Sequence, residues 1–302
     1  MLEDSKSSPK EAVTVLQKNL TGNNIPNLVF TNLSGISLAI APITDQKKLP
    51  VMSVASADDI IEKYQYTIRN YISAKRLAGF SYKYFSQSLK FKSFGVLYIN
   101  DNFGKTVSSE FISKFNNENG KKILVNESFD PKETNYRTLA LKVKENNPDA
   151  VYIIGYGKPL GLLVKQIREN KFNGKILSGP EILTPDVLNI AGNSSNGIIY
   201  ADLLFNNSNK DTYTASFVKN YMKKFNRKPI TPSTLAYDGM KIMLENYSSS
   251  KGNPDTFINN LNKVKNKETL NGKANILNRE IQYDFILKEV YNSKSRIYNL
   301  RK

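Results

Sequence analysis

Gly155-x-Gly157-x-x-x-Gly161, with Glu181 further along, comes close to the glycine signature of a dinucleotide site, where backbone N–H groups at a helix start cradle a pyrophosphate and a later acid takes the ribose. Three features depart from that chemistry. The third glycine is one residue late, Lys158-Pro159 stands where free helix-terminal N–H groups should meet phosphate, and the bulky Tyr156 occupies the tight turn. The same residues also fit an ordinary strand-to-helix turn that binds nothing. Two serines open further possibilities. Ser34 lies in Asn32-Leu33-Ser34-Gly35 and Ser56 in Ala55-Ser56-Ala57-Asp58-Asp59, and each turn leads into a helix. A helix N-terminus offers N–H groups and a hydroxyl to an anion, or the serine only caps the helix.

The elements around these residues give them a common edge. Ala150 to Gly155 is an apolar run rich in β-branched and aromatic side chains, as expected of a strand buried on both faces. From Pro159 the period becomes helical through Leu160, Leu163, Val164 and Ile167, and Asn173-Gly174 closes the helix before a second strand, Lys175 to Ser178. Right-handed βαβ connection makes these two strands parallel, so Tyr156 and Glu181 leave the sheet at the same carboxyl edge. Ligands of open α/β sheets bind outside that edge.

Composition excludes several chemistries. The 302 residues include no His and no Cys, which removes Ser-His-Asp and Cys-His catalysis, zinc sites and disulfides and leaves an enzyme only Lys, Tyr and carboxylates. Absence of Cys fits an extracytoplasmic protein. The formal charge is +16, but the lysines are scattered among Asn and Ile without forming a stripe, so no nucleic-acid partner is expected. No segment is long and apolar enough to span a membrane.

Along the chain, Ser7-Ser8-Pro9 caps a helix over Lys10 to Leu20, a strand follows at Leu28 to Thr31, a helix runs from the Ser34 turn to about Pro42, and Leu49 to Val54 is the next strand. Tyr64 to Asn70 reads as a strand and Ile72 to Leu89 as a helix. The pattern then restarts with a strand at Phe94 to Ile99, the turn Asn100 to Gly104, a helix at Val107 to Asn117, a strand at Lys122 to Phe129 and helical residues at Leu139 to Glu145. Beyond Glu181, Ile198 to Leu204 is a strand, and Asp211 to Phe225, Leu235 to Asn246 and Thr256 to Val264 are helices. Ile281 to Val290 and Ser295 to Tyr298 form a hairpin. Strand-helix alternation on both sides of a break near Asn70 predicts two doubly wound α/β sheets.

Read in order, FTNLSG, LPVMSVASA, NDNFGKT, ESFDPKETNYRTLALKVKENNPDAVYIIGYG, GPEILTPDVLNIAG and LAYDGMKIM resemble the type I periplasmic binding proteins over essentially the whole chain. The Leu/Ile/Val-binding group that feeds amino-acid ABC transporters is the branch they resemble most. The resemblance implies two Rossmann-like lobes joined by a hinge of three crossovers, with a ligand trapped between them by closure. Lobe one is expected to comprise residues 1–70 and 205–275, and lobe two residues 71–204 and 276–302. The chain begins where the family's second strand is ending, so lobe one is expected to lack the first strand and helix, together with the export signal before them.

The resemblance also assigns a site. Ser34, Gly35, Ala55 and Ser56 of lobe one are expected to hold the amino-acid carboxylate, although by register the family's usual hydroxyl falls on Gly35. Phe103, Tyr156 and Glu181 of lobe two are expected to close over the ligand, with Glu181 taking the ammonium and Asp101 only capping its own turn. These assignments imply a non-enzymatic, extracytoplasmic protein of the periplasm or cell surface. It would bind a free amino acid, branched-chain or otherwise small and apolar, deliver it to an ABC transporter permease, and use no metal or cofactor. A sensing module of the same fold, reporting to a signalling partner, would share this cleft chemistry. A nicotinamide-dependent enzyme is the remaining reading.

Overall fold

The computed structural model describes residues 2–22, 25–115 and 120–300. They divide into two compact units, one of Met1–Ser73 with Leu203–Asp284 and the other of Ala74–Asp202 with Phe285–Lys302.

The first unit opens with helix α1 (Pro9–Thr21), where the Ser8 hydroxyl accepts the Glu11 N–H. Strand β1 (Val29–Asn32), helix α2 (Ser34–Gln46), strand β2 (Val51–Val54), helix α3 (Asp59–Glu62) and strand β3 (Thr67–Arg69) follow. Ala12 and Leu16 of α1 pack with Ile36 and Ile40 of α2, with Val51 of β2 and with Leu49 just before it, the helical spacing having placed each stripe inward. Helix α2 continues through Pro42 instead of ending there. Pro42 itself is exposed.

The second unit begins with helix α4 (Ala74–Ser81), which widens into a π-helical stretch over Tyr82–Ser88, a correction to the uniform helix expected through Leu89. The wider turn buries Tyr82, Phe85 and Ser86 together, and Phe85 meets Tyr152 edge-on at 5.5 Å between ring centres. Strand β4 (Ser93–Ile99), helix α5 (Asn102–Ser113), β5 (Lys122–Phe129), α6 (Arg137–Asn146), β6 (Ala150–Ile154), α7 (Gly157–Glu169), β7 (Lys175–Ser178), α8 (Pro185–Ala191) and β8 (Ile199–Leu203) complete the alternation. The expected extension of α5 to Asn117 lies outside the described residues.

The chain then supplies the first unit with helices α9 (Thr212–Phe225), α10 (Thr231–Ser249) and α11 (Pro254–Leu261). Strands β9 (Lys267–Thr269), β10 (Gly272–Leu277) and β11 (Glu280–Gln282) follow, and β12 (Phe285–Tyr291) and β13 (Lys294–Ile297) finish the second unit. The first sheet has the order β1-β2-β3-β11-β10-β9 and the second β13-β12-β8-β7-β6-β4-β5. Strands β4 to β8 are parallel throughout, as the expected two-sheet α/β fold requires.

Residues 276–284 belong to the first unit, not to lobe two, and Ile281 to Val290 is not one hairpin arm. Strand β11 lies parallel beside β3 with Glu280 opposite Arg69, and this pairing holds the chain in the first sheet until Asp284. Only β12 and β13 form the expected hairpin.

Two buried polar clusters tie the first unit together. Asn70 donates to the Leu235 carbonyl at 2.6 Å and accepts the Tyr283 hydroxyl at 2.9 Å. A Cβ on Gly239 would lie 2.1 Å from the Asn70 amide nitrogen, so α10 can approach this clamp only with glycine there. One turn away, Asp238 accepts the Leu270 N–H at 3.1 Å and the Asn271 side-chain amide at 2.8 Å. Burial outweighs these bonds and pushes the Asp238 carboxyl up to about 6.

A carboxyl raised in the folded state binds its proton more tightly there than in the unfolded chain. Its stabilising contribution is therefore complete below about pH 4 and is lost as pH rises through about 6. Asp238→Asn removes the titration while preserving shape. Relative to wild type, urea unfolding of this variant should show a gain on the order of 3 kcal/mol between pH 4 and pH 7. A stability difference independent of pH would show that Asp238 titrates normally.

Candidate functional site

Four of the residues assigned from sequence lie in the first unit and three in the second. In the first unit β1 and β2 are parallel, with Asn32 opposite Val54, so Ser34 and Ser56 each emerge two residues beyond a strand at one carboxyl edge. Their hydroxyls are 3.5 Å apart, and Ser34 Oγ accepts the Ala57 N–H at 3.3 Å. Ser34, Ala55, Ser56 and Ala57 are buried, while Gly35 in the first turn of α2 is partly exposed. Leu33 precedes the helix at φ 64° and contributes no side-chain cap. The serine hydroxyls thus hold the 55–57 loop against α2. The first turn of α2 adds backbone N–H donors to this edge.

Arg69, absent from the sequence-based assignment, lies behind that loop. Its guanidinium donates to the Ala57 carbonyl at 3.2 Å and the Ser56 carbonyl at 3.5 Å, and pairs with Asp58 at 2.7 Å and Glu280 at 3.1 Å. Arg69 is only 3% exposed. A planar fork of five donors can hold two carbonyls and two carboxylates at once, which fixes the path of the loop. The signal available in sequence was a charged residue ending a short strand, with Asp58 eleven residues before it, but its second partner Glu280 comes from a distant part of the chain.

In the second unit β4, β6 and β7 are adjacent and parallel, with Tyr98 opposite Ile154 and Tyr152 opposite Leu177. Phe103, Tyr156 and Glu181 therefore follow three neighbouring strands at one edge. Phe103 is buried in the first turn of α5, and its ring centre lies 6.0 Å from that of Tyr156. Glu181 is the second residue of the short 3-10 turn Pro180–Leu183, and its carboxylate folds back over Gly179, where Oε2 would be 2.5 Å from an added Cβ. It is partly exposed.

Asp101 does more than the local capping expected of it. One oxygen accepts the Gly104 N–H at 2.8 Å and caps α5, while the other accepts the Tyr156 hydroxyl at 2.6 Å. Burial first, then the bond to Asp101 and the nearby charge of Glu181, hold the Tyr156 phenol far above its ordinary pKa, so it stays protonated. The edge of the second unit thus carries two carboxylates, a phenol and an aromatic wall. Among the described residues no cluster of three or more acidic side chains could hold a metal ion, and no helix is long and apolar enough to cross a membrane.

Both units carry adjacent parallel strands that end in turns at a carboxyl edge, where ligands of open α/β sheets bind. The family model described as "Periplasmic binding protein" matches residues 2–284, and the chain belongs to that family. Among curated proteins it is similar to the Leu/Ile/Val-binding protein BraC3 of Rhizobium johnstonii, at 23% identity over 67% of this chain and 55% of the relative. The chain spans about half the length of the curated relatives it matches. Its fold is that of a leucine binding protein LivK from Thermotoga maritima, with a TM-score of 0.90 and 20% identity over 98% of this chain and 85% of that one. The substrate binding protein LivJ from Streptococcus pneumoniae, solved in complex with isoleucine, gives 0.87 and 20% over 98% and 86%. The type I periplasmic binding protein fold expected from the sequence is therefore present.

Proposed function

We propose that this protein is the extracytoplasmic binding component of an amino-acid ABC transporter, and that it captures a free branched-chain or similarly small apolar amino acid for a permease. The observation that carries the proposal is the convergence of Phe103, Tyr156 and Glu181 at one sheet edge, with Asp101 behind the phenol. An amino acid needs a carboxylate partner for its ammonium, donors for its own carboxylate and apolar walls for its side chain. In this reading Glu181 and Tyr156 receive the ammonium, and Phe103 flanks the side chain. The start of α2 at Ser34-Gly35 and the Ala55-Ser56 loop take the carboxylate. The protein carries out no reaction on its ligand and functions in the periplasm or at the cell surface. The Leu/Ile/Val names of its relatives support the ligand class.

A thermal-shift screen against the twenty amino acids tests this reading. A ligand at 100 times its dissociation constant should stabilise the folded state by roughly 2.7 kcal/mol, and leucine, isoleucine or valine should give the largest shift. A flat response to all twenty would overturn it.

A further inference from the structure

We infer that the end of α9 is a peripheral membrane-docking surface, with Met222 and Phe225 entering the interface of an anionic lipid bilayer while Lys223, Lys224, Arg227 and Lys228 meet its phosphates. The inference goes beyond the amino-acid site and does not depend on it. The segment from Met222 to Lys228 reads MKKFNRK, and every one of its residues is exposed. Scattered as the lysines are elsewhere, cations concentrate here: four of these seven residues are basic, against 43 of 302 in the whole chain, and no acid lies between Asp211 and Asp238. Both of those acids are engaged elsewhere. Asp211 caps the opposite end of α9 by accepting the Thr214 N–H at 2.8 Å, and Asp238 is buried against Leu270 and Asn271.

Lysines in a last helical turn complement the helix dipole, which accounts for Lys223 and Lys224. It does not account for Arg227 and Lys228, which lie past the helix, or for two large apolar side chains facing water. Met222 is 42% exposed and Phe225 48%. A spacing of three residues sets them side by side on the last turn.

The segment is also held in place. The Phe225 ring centre lies 4.5 Å from that of Tyr221, whose hydroxyl shares a 2.9 Å hydrogen bond with Ser233. Asn226 stops the helix at φ 52° with its N–H on the Met222 carbonyl, and the Asn207 amide donates to the Pro229 carbonyl at 3.0 Å. The Lys224 ammonium lies 5.5 Å from the centre of the Phe225 ring. Apolar tips set among cations match a bilayer surface, where the acyl boundary receives the tips and anionic headgroups receive the ammonium and guanidinium groups. A nucleic-acid duplex offers the phosphates without an apolar layer for Met222 and Phe225 to enter.

Sedimentation with vesicles tests the surface, using phosphatidylcholine alone and phosphatidylcholine containing about a third phosphatidylglycerol, at roughly 0.15 M salt. The full chain should bind only the anionic vesicles. Lys223→Glu with Lys224→Glu, and separately Met222→Ser with Phe225→Ser, should each lower the partition coefficient by roughly tenfold or more. Lys144→Glu with Lys171→Glu makes the same charge change on exposed lysines of the second unit and should lower it by less than about threefold. The chain contains no Trp, so Phe225→Trp places a single fluorophore at the contact, and its emission should shift to the blue on the anionic vesicles. An equal loss in the control pair would reduce the effect to net charge and overturn the inference. Absence of vesicle binding, an unshifted Trp emission, or tighter binding to duplex DNA at the same salt would also overturn it, and none of these outcomes bears on the thermal screen for amino acids.

Discussion

Glu181→Ala should weaken amino-acid binding by roughly thirty- to several-thousand-fold. A bound ammonium gives up its water, and a carboxylate must replace that hydration or the cation stays uncompensated. Truncating one member of such a pair costs on the order of 2 to 5 kcal/mol. Asp101 cannot substitute, since both of its oxygens are already engaged by Gly104 and Tyr156. The unliganded protein should unfold at nearly the same denaturant concentration as wild type, because Glu181 is partly exposed. Calorimetric binding together with a urea titration would check both halves. Affinity within about threefold of wild type would assign the ammonium to another residue.

Arg69→Met should have the opposite profile and destabilise the free protein by about 3 to 5 kcal/mol, the range for stranding buried charges. Asp58 and Glu280 would keep their positions, with side chains only 12% and 9% exposed, but would lose the cation that pairs with both. The Ser56 and Ala57 carbonyls would lose their donor as well, so the 55–57 loop should relax and amino-acid affinity should fall together with stability. Arg69→Lys keeps the charge but offers one compact ammonium in place of a fork, and should recover only part of either loss. Urea unfolding of the three proteins provides the comparison. A stable Arg69→Met variant, within about 1 kcal/mol of wild type, would mean that the two carboxylates are compensated by other groups.

These two residues differ in how much of their role could be read before the fold was known. Glu181 was accessible because its placement needs only local pattern: an apolar run, two glycines, a helical period, a second short strand, and the handedness of the connection. Arg69 was not accessible in the same way. Its charge could be seen in a strand that otherwise buries every position, but Glu280 lies on β11, a three-residue strand whose pairing with β3 has no periodic signal of its own. For the same reason the return to the second unit was expected near residue 275 and occurs after Asp284. Asp101 shows a third case. Its capping bond to Gly104 spans three residues and was expected from the turn, whereas its second bond reaches Tyr156 across two strands.

The sequence by itself determined the alternation of strands and helices, the parallel course of β6 and β7, and the delivery of Tyr156 and Glu181 to one edge. Each of these follows from side-chain periodicity and chain handedness within a few tens of residues. Only the tertiary structure decided which polar groups meet behind that edge and behind the 55–57 loop. Buried hydrogen bonds and ion pairs are satisfied by whichever group the packing of distant segments brings within about 3 Å, and no local period encodes that encounter. The acceptor for the Tyr156 proton and the guanidinium beneath Ser56 are therefore properties of the fold.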